Sequence, residues 1–195
     1  MRPRPLPASF FARGAVSIAR DLLGRVLVSE VGGARCAVRI VETEAYTGPR
    51  DPASHAADWH RSPRNEVMYG PAGRAYVYFT YGMHWCFNVV SGRAGYPSAV
   101  LVRAGEPLEG LDVMRSRRGG VTDRLLAAGP ARLAEALGIT RDLNGHTLRE
   151  TPLWLAPGRP VPPARRRRST RIGITQARER LLRFYEAGSP FVSRP

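Results

Sequence analysis

The sequence predicts an α+β fold: a single domain, 1–195, built on a curved, largely antiparallel β-sheet with surrounding helices and a protruding β-hairpin. Three observations point there. Strand-like segments come in consecutive pairs separated by short glycine turns, which is the signature of antiparallel hairpins. Helical stripes are few and short. No internal repeat or composition break divides the 195 residues, a length at which one core buries about 70% of the unfolded surface.

The elements follow in order. A proline-rich tail, residues 1–8, enters a helix in which Ala15, Ile18, Ala19, Leu22 and Leu23 form one apolar stripe, ended by Gly24. RVLVSEV and RCAVRIVETEAY, joined through Gly32 and Gly33, read as a hairpin. From Thr47 to Gly73 there is no sustained period, so this is a long loop of the kind that often carries function. RAYVYFTY and HWCFNVVS form a second hairpin about Gly82, with Tyr76, Tyr78 and Thr80 on one face and Val77, Phe79 and Tyr81 on the other. PSAVLVRAGEP adds a strand. Pro107 is expected to open a helix through Leu111 and Met114, and Pro130 a second through Leu133 and Leu137. Residues 151–170 read as a Pro/Arg-rich surface loop ending in Arg165 to Arg168, and RIGIT and LRFYEAGSPFVS as a return to the sheet.

Composition narrows the function. Thirty basic against 16 acidic side chains give a net charge of +14, while 43% hydrophobic and 24% charged residues are ordinary globular usage, which excludes a disordered polycation. Such charge is the electrostatic footprint of a nucleic-acid binder, although the four consecutive arginines by themselves can be a solvated loop. No apolar run reaches the ~18 residues of a membrane span, and no signal-peptide core is visible, so a cytoplasmic protein without membrane contact is expected. All 30 basic residues are arginine. Arginine does not lose its proton, so Schiff-base chemistry on a lysine is excluded and only a terminal amine is left for that role. Cys36 and Cys86 read as buried free thiols, and His55, His60, His84 and His146 form no metal-ligand spacing, so no metal is expected.

Two segments could carry chemistry. In RIVETEAYTGPRDPASHAADWH, a strand delivers two glutamates, an aromatic and a histidine into the long loop. If its pleat is regular, Glu42 and Glu44 share a face and can perturb each other. The alternative of two solvent-facing glutamates in surface pairs stays open at this point. In AYVYFTYGMHWCFN the tyrosines fit cross-strand pairs, but Tyr81 stands immediately before the turn glycine. The sheet cannot easily cover it there, and an exposed tip aromatic on a very basic chain suggests a wedge between bases.

The blocks VETEAY, GPRDPASHA, PRN, YVYFTYGMHWCFN, AVLVRAGEPLEG, GPARLAEALGI, RIGI and LRFYEAGSPFVS, running in order from about Leu22 to Ser193, resemble the alkyladenine (3-methylpurine) DNA glycosylase family. The resemblance implies a monomeric enzyme, cytoplasmic and nucleoid-associated, that binds double-stranded DNA in the minor groove. It implies flipping of alkylated or deaminated purines such as 3-methyladenine and hypoxanthine, and hydrolysis of their N-glycosidic bond to an abasic site without a cofactor or lyase step. It makes Glu44 the general base that deprotonates the attacking water, a task suited to a carboxylate. Arg103 and the Ile172 carbonyl become further contacts of that water. Tyr46, His55 and Tyr78 become the walls that sandwich the base, the Ala53 amide a donor to the purine, and Asn88 a filter against the guanine amino group. Tyr81 becomes the intercalating residue, with Met83 beside it. Two departures stand out: His84 where relatives often have tyrosine, and TQARERL without the tryptophan some members carry. A basic nucleic-acid-binding module on the same scaffold is the alternative, but a pure binder has no use for a carboxylate facing a sugar. A helix-hairpin-helix glycosylase is disfavoured by the absence of an LPGVG-like hairpin and of an iron–sulfur cysteine set.

Overall fold

The computed structural model describes residues 4–194. Short helices α1 (Ala8–Phe11) and α2 (Ala15–Leu22) lead into strands β1 (Val26–Ser29) and β2 (Cys36–Tyr46). After the long loop come β3 (Ala75–Thr80), β4 (His84–Ser91) and β5 (Ser98–Glu109), then α3 (Leu111–Arg117) and α4 (Pro130–Ala136). The chain closes with β6 (Arg149–Glu150), β7 (Leu153–Ala156), β8 (Arg166–Ser169) and β9 (Arg183–Glu186). All strand pairs are antiparallel, in one curled sheet of order β3-β4-β5-β2-β1-β7-β6, with β9 added on β2 and β8 on β9. No helix among the described residues is long and apolar enough to cross a membrane.

Strand alternation assigns each side of this sheet a task. Ala75 and Val77 of β3, Phe87 and Val89 of β4, and Val100 and Val102 of β5 join Ile18, Leu22 and Leu133 of the helices in the main core. Each such side chain contributes about 1.5–3 kcal/mol on burial. The residues between them, Tyr76, Tyr78, Asn88, Leu101 and Arg103, line a cavity on the opposite side. Strand β2 changes sides midway. Cys36, Val38 and Ile40 lie in the core, but after a bulge between Ile40 and Thr43 it is Ala45 that points there, and the Thr43 hydroxyl donates to the Ala19 carbonyl of α2 at 2.8 Å. Two opposed irregularities, with Val41 unpaired on β2 and Arg103 unpaired on β5, invert the alternation there. Glu42 and Glu44 are thereby turned from the helices.

Several sequence expectations need correction. Pro107 lies within β5, opposite a bulge at Val38 where a missing N–H is tolerated, and the helix begins after Gly110. Gly110 has φ 78°, and a Cβ there would lie 2.4 Å from the Arg35 carbonyl oxygen. Region 151–170 is not one surface loop. LWLA is the buried strand β7 paired with β1, a fully apolar run disguised by its flanking prolines, and Arg166–Ser169 is strand β8. RIGIT is not a strand, because Arg171 is pinned by its side chain instead. Within the expected tail, Leu6 is buried and its amide donates to the Leu155 carbonyl at 2.8 Å. Residues 1–3 of that tail lie outside the described residues.

Candidate active site

The bulged end of β2 places Glu44 behind the wall of a cavity of ≈ 640 Å³, within the usual range for sites that hold a small molecule. The glutamate is fully buried, not solvent-facing. Its Oε1 accepts from the Ile172 amide at 2.8 Å and faces Arg103 Nη1 at 3.3 Å, while Oε2 accepts from the Tyr46 hydroxyl at 3.0 Å. Those three partners line the cavity. Burial raises the Glu44 pKa above the ordinary carboxylate value. Arg103, the Ile172 amide and Tyr46 oppose the rise, and the charge of Glu42 adds to it. Burial, and then the charge of Glu44, push the Tyr46 phenol far above its usual value, so it is a permanent donor here.

Glu42 supports this arrangement from behind. Its Oε1 accepts from Arg103 Nε at 2.9 Å, Arg183 Nε at 2.8 Å and the Ser193 hydroxyl at 2.9 Å, and its Oε2 from the Ser193 amide at 2.6 Å. The same-face expectation for the two glutamates thus has a concrete form: both carboxylates grip Arg103, which is itself almost fully buried. Buried charges require this degree of pairing, since an unpaired ion in the interior costs several kcal/mol.

The long loop supplies the opposite wall. Asp51 and Arg171, both inaccessible to solvent, form a two-pronged pair at 2.6 and 2.8 Å, and Arg171 also donates to the Ala45 carbonyl at 3.0 Å. Arg171 lies over the Tyr46 ring, 4.7 Å from its centroid, and fixes one stacking surface. Ala53 lines the cavity, though its amide is directed at Asp51 Oδ1, 3.3 Å away. His55 opens into the cavity, shares a 2.7 Å hydrogen bond with Tyr76 through Nδ1 and meets the Tyr78 ring edge-on at 4.6 Å. Shielding by the surrounding groups, together with the charge of Arg64, lowers its pKa to about 4, so the ring is neutral at pH 7. Burial pushes Tyr76 up to about 12. Asn88 is buried and lines the cavity, and its Nδ2 donates to the Tyr76 carbonyl at 3.1 Å, which fixes the orientation of its side chain.

At the hairpin tip Tyr81 is 81% exposed with φ 52°, and it borders the same cavity. Met83, 69% exposed, is on the tip but outside the cavity lining. The structure therefore brings Glu44, Arg103, Tyr46, Ala53, His55, Tyr78, Asn88, Ile172 and Tyr81 together from five separate stretches of chain. Sequence reasoning missed Arg64, which lines the cavity 5.1 Å above the Tyr78 ring. It also missed the Asp51–Arg171 and Glu42–Arg183–Ser193 contacts, whose members lie over a hundred positions apart and leave no spacing signal.

Stacking surfaces for one flat ring, a carboxylate with a guanidinium beside it, and a large positive surplus are the requirements of a hydrolase directed at a base in nucleic acid. Comparison with known proteins gives that class its family. The methylpurine-DNA glycosylase family profile matches residues 9–190, and the chain belongs to that family. It is 51% identical over 194 residues to a relative in Methanoculleus marisnigri, covering 97% of this chain and 98% of the other. A Carboxydothermus hydrogenoformans relative is 47% identical over 190 residues, with coverage of 97% and 98%. One from Myxococcus xanthus is 54% identical over 172 residues, with coverage of 88% and 83%. All three are provisionally named 3-methyladenine DNA glycosylases.

Proposed function

We propose that this chain is a monofunctional purine-DNA glycosylase that works as a monomer in the cytoplasm, at the nucleoid. It binds duplex DNA through the minor groove and rotates an alkylated or deaminated purine, of 3-methyladenine or hypoxanthine type, into the cavity. The single observation that carries this reading is the fully buried Glu44, held by Arg103 and the Ile172 amide behind an aromatic-walled cavity on a chain of charge +14. Oε1 already has two donors, whereas Oε2 has only the Tyr46 hydroxyl. A water that takes the hydroxyl's place at Oε2, with the Ile172 carbonyl as a further contact, gives its proton to Glu44. Its oxygen bonds to the anomeric carbon as the bond to the base nitrogen breaks, and the electron pair leaves with the base. Tyr46, His55 and Tyr78 replace the stacking the base loses from the duplex. Neutral His55 adds no repulsion toward a cationic alkylated purine, and Asn88 opposes a guanine amino group.

The test is a duplex carrying one hypoxanthine or ethenoadenine, incubated with protein in EDTA. We expect a released base and a strand that stays intact until heated in alkali, with no adduct trapped by borohydride, because no lysine is present to form one. Binding without release would leave only the nucleic-acid-binding module, and a trapped adduct would overturn the monofunctional reading.

Tyr81 provides a second test. If it fills the gap left by the rotated nucleotide, Tyr81→Ser removes a stacking surface worth about 1–3 kcal/mol without touching phosphate contacts. Lesion binding should weaken by roughly 5- to 150-fold, with affinity for undamaged duplex and its salt slope nearly unchanged. Equal losses on both duplexes, measured at two salt concentrations, would make Tyr81 a purely structural hairpin residue.

A further inference from the structure

The long loop has a second face. Its inner side presents Ala53 and His55 to the cavity, and its outer side contributes Pro49, Arg50 and Trp59 to a separate cleft of ≈ 360 Å³ completed by Arg93 and Tyr96. Trp59 is 57% exposed, and among the large apolar side chains of the described residues only Tyr81 and Met83 are more so. The backbone goes to some cost to present it. Asp58 and Trp59 are consecutive non-glycine residues with positive φ, 51° and 62°, a strained conformation that collects at functional sites. Hydrogen bonds hold this shape: the Asp58 amide donates to the Pro49 carbonyl at 2.9 Å, and the Tyr69 hydroxyl to the Trp59 and His60 carbonyls at 3.0 and 2.9 Å. Tyr96 meets the indole edge-on at 5.8 Å and is itself anchored by donation to the Thr47 carbonyl at 3.1 Å, which leaves the rest of the indole open. Arg50 and Arg93 are exposed, and among the described residues no carboxylate lines the cleft.

A flat ring sharing a cleft with two exposed guanidiniums has the chemistry of a stacking platform for one base with its flanking phosphates. We propose that this cleft binds an unpaired nucleotide of single-stranded DNA, stacked on Trp59 with its phosphates between Arg50 and Arg93. The cleft borders the Gly92–Pro97 turn, at the opposite end of β4 from the hairpin tip. Seven strand steps of about 3.3 Å put that turn roughly 23 Å from the tip, or about seven base-pair rises. The cleft and the cavity share no lining residue, so the nucleotide in this cleft is a different one from the nucleotide in the cavity, and single-stranded DNA beside a lesion can meet both. The inference rests on the DNA-directed reading above, but its test does not depend on excision.

Affinity for a short, lesion-free thymidine oligonucleotide is measured by anisotropy, with tryptophan emission followed in parallel. The proteins compared are wild type, Trp59→Ala, Trp59→Phe, Arg50→Ala and Arg93→Ala. Trp59→Ala should weaken binding by roughly 5- to 150-fold. Trp59→Phe should keep most of the affinity and lose the emission quenching, and each arginine exchange should flatten the log–log salt slope by about 0.7. Excision from a short blunt duplex should not change in Trp59→Ala. Unaltered oligonucleotide affinity in that variant would reduce Trp59 and Tyr96 to a packing pair, and equally strong binding of thymidine monophosphate would replace the strand by a free nucleotide. Failure of the wild type to excise would overturn the proposed enzyme and leave the cleft result standing.

Discussion

Exchanging Glu44 for glutamine should abolish base excision and leave DNA binding intact or stronger. The exchange preserves shape. The amide oxygen can accept from Ile172 and Arg103 as Oε1 does at 2.8 and 3.3 Å, and the amide nitrogen can donate to the Tyr46 hydroxyl oxygen, 3.0 Å from Oε2. What disappears is the proton acceptor, a factor of about 10² to 10⁴ in rate, or about 2.7–5.5 kcal/mol of barrier. Loss of a negative charge near the DNA backbone removes a repulsion, so affinity is not expected to fall. Single-turnover release of hypoxanthine, measured beside duplex binding, separates the two effects, and turnover within about tenfold of wild type would place the base elsewhere.

The same carboxylate sets the acid limb of the pH profile. Glu44 is a base only when ionised, and burial raises its pKa above the ordinary value of 4.5 despite Arg103 and the Ile172 amide. Excision should therefore decline, as pH falls, at a higher pH than a free glutamate would give. His55 does not mask this limb, since it stays neutral down to about 4. Removing the charge that opposes the rise, as in Arg103→Leu, should move the limb further up in whatever activity remains.

Much of this arrangement is legible in the sequence because its signals are local. Glycine turns announce the hairpins, Pro130 opens α4 as expected, and alternation along AYVYFTY separates the cavity tyrosines from Val77 of the core. The β2 bulge is not legible: CAVRIVETEAY contains no glycine or proline to mark it, and only pairing with β5 shows that Ile40 and Glu42 fall on opposite sides. The burial of Glu42 and Glu44 is hidden for the same reason, since their partners Arg103 and Arg183 come from β5 and β9, neighbours of β2 in the sheet but distant in sequence, and Ile172 and Ser193 from late in the chain. LWLA is hidden differently, because prolines and arginines on both sides outweigh four apolar residues in any composition window. Motif resemblance reaches Glu44, Arg103 and Ile172 without geometry, but it cannot say that Oε2 is the one carboxylate oxygen with a single donor.

Arg171→Met should be among the most destabilising single exchanges in the chain. The guanidinium and Asp51 are both inaccessible to solvent and are joined by two hydrogen bonds of 2.6 and 2.8 Å, so removing one partner strands a buried carboxylate at a cost of about 3–5 kcal/mol. Arg180 Nη1, 4.0 Å from Asp51 Oδ1 and partly exposed, is the one cation placed to compensate among the described residues, which favours the lower half of that range. Burial works to raise the Asp51 pKa, but the Arg171 hydrogen bonds and charge, with the Thr47 and Ala53 amides, outweigh it and hold the carboxyl below its ordinary 3.8. A depressed acid pKa contributes stability that is complete above the unfolded value and lost as pH falls through the folded one. The variant should therefore differ from wild type at pH 7 and converge on it in strong acid. Urea midpoints at both pH values measure this, and a loss below about 1 kcal/mol at pH 7 would show that water already reaches the pair. Adding Asp51→Asn to Arg171→Met should restore much of the loss, because the stranded charge and not the missing contact dominates it. Lysine cannot substitute at this site: a single ammonium meets neither the two-pronged geometry nor the Tyr46 ring, 4.7 Å from the guanidinium carbon. Because Ile172, the next residue, donates to Glu44, Arg171→Lys should lower excision even where the protein remains folded.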